Sequence, residues 1–275
     1  MTFNTFSEKA LKEVLLPQLE FAMKFDKNQL SGLEIEFDSG MVPPPFSHVF
    51  RLALDWASGN LNAKLVLHYT DREELSEQEI LDEGFTPEDD YSGELQLNSV
   101  WIDPVLDLLR NTRWNSKQLN DGGITLSLVE NGKLQTAKVP ANQEDWQLMA
   151  QDIIQAIYES SKKEKPLSIQ YRKVDHDSTR DIQITVFFEN REVILKEAEE
   201  NRVLNWDYAI QLMKLIFTPD YDYELAKESP GTKRGDYIEC GDGFWHDMNK
   251  GVVNIDSSMD TVGKIKSSIK HLLEG

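Results

Sequence analysis

The sequence predicts an α+β fold: a largely antiparallel, twisted sheet of about seven or more strands with helices packed on one face. Three observations lead there. Strand-like runs come in pairs around tight-turn residues such as Gly59-Asn60 and Asn131-Gly132, and segments of helical period follow those pairs. The chain of 275 residues is 40% hydrophobic and 28% charged, a globular balance with enough apolar residues for a core.

Taken in order, Ser7, Glu8, Ala10, Leu11, Val14, Leu15 and Leu19 read as a capped amphipathic helix that Pro17 bends. Leu33, Ile35 and Phe37 alternate with Glu34, Glu36 and Asp38, which is a half-exposed strand. Pro43-Pro44-Pro45 then predicts a stiff, extended connection that lacks backbone donors. Val49 to Thr70 forms a hairpin around Gly59-Asn60, and an acidic helix is expected to run on to about Glu83. Trp101 to Arg113 is helical, and Ile124 to Val139 is a second hairpin around Asn131-Gly132, the dipeptide best suited to a type I′ turn.

A helix over Gln143 to Ser161 follows, then a third strand pair, Leu167 to Val174 with Ile182 to Phe188, and a return strand at Val193 to Leu195. Trp206 to Phe217 is helical, Thr218 to Asp256 is loop-rich, and Thr261 to Leu273 closes the chain as an amphipathic helix. Trp101, Trp146 and Trp206 each stand near a helix start, which suggests a strand-strand-helix unit used three times. The expected organisation is one continuous α+β unit over residues 1–275, with 1–120 and 121–275 as the lobes if it divides.

Charge narrows the function classes. Asp and Glu number 48 against 29 Lys and Arg, a net charge of −19 that repels nucleic acid and anionic lipid. Asp71 to Glu94 holds eleven carboxylates and one base, Arg72. Glu73, Glu74, Glu77, Glu79, Asp82, Glu83, Glu88, Asp89 and Asp90 are therefore the candidate partner-binding residues, forming an acidic surface for a basic protein. The other candidate is Cys240 to Asp247, where Phe244, Trp245 and His246 offer an aromatic binding surface.

Catalytic and metal signatures fail on spacing. The EF-hand register that starts at Glu88 ends on Ser99 where a bidentate Glu is required, and Asp175-His176-Asp177 has Arg180 at the glycine position. The five histidines are at least twenty residues apart, which excludes a zincin helix, and no phosphate loop or nucleophile elbow occurs. No cofactor, metal or catalytic residue is assigned. Cys240, the one cysteine, cannot form an intramolecular disulfide and fits a reducing cytoplasm, and neither a secretory leader nor a membrane-spanning run is legible. The C-terminal helix, with Val262, Ile265, Ile269 and Leu272 on one face, offers a route to self-association, and its Lys264, Lys266, Lys270 and His271 complement the helix dipole.

These readings point to a non-catalytic cytosolic binding protein of inhibitor, immunity-like or adaptor type. A hydrolase that uses carboxylates or a divalent metal is the competing class.

Overall fold

The computed structural model describes residues 29–116, 119–256 and 258–274, so the bent helix expected over Ser7 to Leu19 lies outside the described residues. The chain divides into two compact units, Met1–Ser161 and Lys162–Gly275.

In the first unit β1 (Leu30–Asp38), β2 (His48–Asp55), β3 (Leu61–Tyr69) and β4 (Tyr91–Leu97) form a meander, with a short helix α1 (Glu77–Asp82) between β3 and β4. There follow α2 (Ile102–Asn111), β5 (Trp114–Asn115), β6 (Gly123–Glu130), β7 (Lys133–Leu134), β8 (Val139–Pro140) and α3 (Gln143–Ser160). β6 returns to the free side of β1, giving the antiparallel order β4-β3-β2-β1-β6-β7. Asn131 and Gly132 both take positive φ, 51° and 73°, as the hairpin between β6 and β7 requires.

The period of two sorts the residues between the sheet faces. Leu33 and Ile35 lie level with Leu54 and Leu52 of β2 and with Leu128 and Leu126 of β6, and all six are buried. Trp101, Val105, Leu106 and Leu109, with Trp146, Ala150, Ile153 and Ile157 of α3, supply the helical side of this core. The Trp146 Nε1–H donates to Thr112 Oγ1 at 2.8 Å and joins α3 to the end of α2. The other face carries Glu36, Arg51, Lys64 and His68 toward solvent.

The second unit repeats this topology. β9 (Leu167–Val174), β10 (Thr179–Phe187), β11 (Glu192–Glu197) and β12 (Glu200–Leu204) form the meander, and α4 (Trp206–Ile216) follows it. Next come β13 (Asp220–Tyr221), β14 (Gly235–Glu239), β15 (Trp245–Asp247), β16 (Val252–Val253) and α5 (Thr261–Glu274). β14 pairs with the free side of β9, so the order β12-β11-β10-β9-β14-β15 matches the first sheet strand for strand. Even the two-stranded pairs correspond, β5 with β8 and β13 with β16.

The match extends to side chains. Asn98 and Asn205 cap the turns that open the helical segment following each meander, accepting from Val100 N and Tyr208 N. The buried Trp101 and Trp206 follow them, and Thr112 and Thr218 end the segments by donating to carbonyls four residues back, those of Leu108 and Lys214.

Four expectations need correction. The repeat occurs twice, as eight strands and two helices, because Trp146 belongs to α3, the second helix of the repeat, and has no tryptophan counterpart in α5. The units meet at residue 161 and not 120, because β6 completes the sheet begun by β1. The proline run turns back on itself: the Pro44-Pro45 peptide is cis, and the Phe46 and Ser47 amides both donate to Pro43 O. The acidic helix breaks in two, a 3₁₀ turn over Arg72–Glu74 and then α1, because Ser76 starts a new helix through a capping box with Glu79.

Candidate functional site

The repeat separates what the fold needs from what has been added to it. In the second unit residues 175–178 join β9 to β10 and the two-residue turn Ala198-Glu199 joins β11 to β12. In the first unit the equivalent connections are residues 39–47 and 70–90. Both follow strands that run the same way in a meander, so they emerge at one end of the sheet. The acidic segment is therefore an arm on a hairpin that the same topology closes with two residues.

One side chain holds the two connections together. Arg72 Nε donates to Pro45 O at 3.1 Å, and its Nη1 donates to Thr86 O at 2.8 Å and to Asp89 at 3.3 Å. Its guanidinium lies over the Tyr69 ring, 3.7 Å from the centroid, and 4.8 Å from that of Phe85. Ser47 Oγ donates to Thr70 O, and Phe46 meets Phe85 edge-on at 5.3 Å.

A row of rings results, running Phe50, Phe37, His48, Tyr69, Phe85, Phe46, with neighbouring centroids 5.0–5.6 Å apart. Beside it lies a cleft of about 610 Å³ lined by Phe37, Asp38, Val42, Phe46, Tyr69 and Phe85 among others. Met41 is 86% exposed, and Val42 and Phe46 are each 43% exposed, so apolar surface continues out of the cleft mouth.

The nine candidate carboxylates have different tasks. Glu79 accepts from the Ser76 hydroxyl and amide, which holds its carboxyl below the usual range and fixes α1. Asp89 and Asp90 are anchors. Burial opposes their ionisation, but Thr86 and Arg72 at Asp89, and the Tyr69 amide and His68 at Asp90, outweigh it and leave both carboxyls below the ordinary value. Glu73, Glu74, Glu77, Asp82, Glu83 and Glu88 are exposed and make no ion pair among the described residues.

Because the Asp89 and Asp90 carboxyls are depressed, their anchoring is complete above the ordinary carboxylate pKa of about 4 and is lost as pH falls through their lower folded values. Hydrogen-exchange protection across residues 70–90 is expected to collapse in that acid range while β1, β2 and β6 stay protected. Equal protection of the arm at pH 7 and below pH 3 (about one unit under the ordinary value) would contradict this.

In the second unit Phe244, Trp245 and His246 do not share a surface. Trp245 lies level with Glu239, and His246 with Ile238, so the two side chains leave opposite faces of β15. His246 is 1% exposed, with its ring edge-on to Tyr221 and Tyr223 and neither ring nitrogen hydrogen-bonded among the described residues. Phe244 is 42% exposed and stands against Tyr223. The buried Glu239 carboxylate accepts from the Gly241 and Gly243 amides and from Gln170, which makes it a brace for the turn.

Burial, with Asp242 and Glu239 nearby, pushes the Cys240 thiol up to about 12. At pH 8 its thiolate fraction is then about a thousandfold below that of a free thiol. Alkylation of native Cys240 is expected to be slower than that of the unfolded chain by at least this order, and comparable rates would contradict the assigned environment.

Among the described residues no three of His, Cys, Asp and Glu converge to hold a metal ion, and no helix is long and apolar enough to cross a membrane. The apolar residues of α5, Ile265, Ile269 and Leu272, are buried within the second unit, where the helix packs on α4. No family model, curated protein or solved structure matches the chain.

Proposed function

We propose that the protein is a non-catalytic binding protein whose acidic arm, residues 70–90, engages a basic protein partner, in the manner of an inhibitor, immunity-like protein or adaptor. The observation that carries this reading is the arm itself. It is an elaboration that the second unit omits from the same hairpin, it holds six exposed carboxylates that make no ion pair among the described residues, and it is pinned beside a cleft with aromatic walls. Charge at a rim speeds and selects encounter, while affinity comes from apolar anchors at the centre. The cleft suits an aliphatic or aromatic side chain flanked by Lys or Arg on the partner.

Glu79, Asp89, Asp90, Glu197 and Asp256 are held below the ordinary carboxylate value, as fixed charges are. The lone cysteine fits residence in a reducing cytoplasm. The test is capture from native lysate on the full chain at low salt, in parallel with a variant whose six exposed arm carboxylates are amides. A basic protein that the parent retains, moderate salt releases and the variant fails to hold supports the reading. Equal retention by both chains sinks it.

A further inference from the structure

The second unit keeps its meander connections short and is elaborated elsewhere, in the stretch between α4 and α5. There the 225–233 loop folds over the open face of the sheet. Lys227 exchanges backbone hydrogen bonds with Trp245, at 3.1 and 2.7 Å, and the Tyr237 hydroxyl donates to Lys233 O at 2.9 Å. Gly231 sits so close to the Tyr237 ring that a Cβ there would lie 2.2 Å from its carbons. The loop and the β14–β15 hairpin wall a concavity of about 700 Å³, within the size range of small-molecule sites.

Its lining is unlike the rest of this acidic chain. Lys227, Lys233 and Lys250 border it, and none of the three makes an ion pair among the described residues. Trp245, half-buried, and Leu225 supply an aromatic and an aliphatic wall. Two carboxylates also border the space. Asp247 is partly occupied in accepting from the Asn249 amide, and Glu228 lies exposed on the loop. Three lysines that make no ion pair among the described residues line the same space as the Trp245 indole, a set suited to a flat ring that bears an anionic group.

We propose that this concavity is a binding site for a small planar aryl anion, such as an aryl phosphate or a nucleoside monophosphate. The site does not depend on the acidic arm and stands or falls separately from it. The test follows the Trp245 indole N–H signal of the full chain during titration with adenosine monophosphate and with 1-naphthyl phosphate, each against its neutral counterpart, adenosine or 1-naphthol. The Trp245→Phe chain assigns the signal.

Saturable shifts are expected with at least one anion, at a Kd of about 1 mM or tighter, with binding of its neutral counterpart weaker by about tenfold. The triple change Lys227→Gln, Lys233→Gln, Lys250→Gln, all at exposed positions, is expected to remove that preference while the amide spectrum of the sheet stays unchanged. Absence of saturation with both anions, equal binding of the neutral forms, or undiminished anion preference in the triple variant overturns the proposal.

Discussion

Replacing Glu73, Glu74, Glu77, Asp82, Glu83 and Glu88 with their amides is expected to weaken binding of the basic partner about a hundredfold at low salt and to leave the thermal midpoint unchanged. These six are chosen because nothing in the fold uses their charge as an ion-pair partner among the described residues. Glu79, Asp89 and Asp90 are left in place because they cap α1 and anchor the arm. At ionic strengths where the Debye length drops to about 3 Å, the two chains are expected to converge, since exposed charge is then screened in the parent as well. Isothermal titration with the captured partner at low and high salt measures both. A deficit in the variant that salt does not reduce would mean that the arm acts through shape, and no deficit would remove its role.

The largest effect on stability is expected from Trp146→Ala. The indole is completely buried beneath the first sheet, and its N–H donates to Thr112 Oγ1. Truncation leaves a ring-sized cavity in a close-packed core and breaks the link between α3 and the end of α2, a loss of about 3–5 kcal/mol. Trp146→Phe keeps most of the ring contact but loses the donor, and about 1–2 kcal/mol is expected. Chemical denaturation followed by amide signals of the first unit measures both. A loss below about 1 kcal/mol for the alanine variant would mean that the core relaxes around the site.

Hairpins and helices were legible where sequence carries both period and punctuation. Asn131-Gly132 announced its turn, and α2, α3, α4 and α5 fell within a few residues of their expected ends. The strands not legible include β13 to β16, which fall in the stretch Thr218 to Asp256 read as loop-rich, and β4 and β12, the edge strands of the two meanders. β4 buries only Tyr91 and Leu97, and β12 buries none of its residues. An edge strand is held by backbone pairing on one side and needs little apolar patterning, so its sequence resembles a loop. Overlooking them concealed the true repeat, since three of its eight strands per unit are also only two or three residues long in the second unit. At the candidate site, the concentration of charge was readable as composition, but the cleft was not. Its rings come from β1, β2, β3 and both elaborated connections, and Arg72 stood in the sequence only as the lone base of an acidic run.

By itself the sequence determined the α+β class, the antiparallel pairing, the apolar faces of the helices and the excess of negative charge, because each depends on local period, local turn chemistry or a sum of charges. Only the tertiary structure decided that the unit occurs twice, that the acidic segment is an arm set beside an aromatic cleft, and that three lysines line one concavity with Trp245. Those features rest on contacts between residues far apart in the chain, such as Arg72 with Pro45 and Lys227 with Trp245. Such contacts exist only once the strands have paired, when the β1–β2–β3 meander sets two connections at one end of its sheet and the β14–β15 hairpin meets the 225–233 loop.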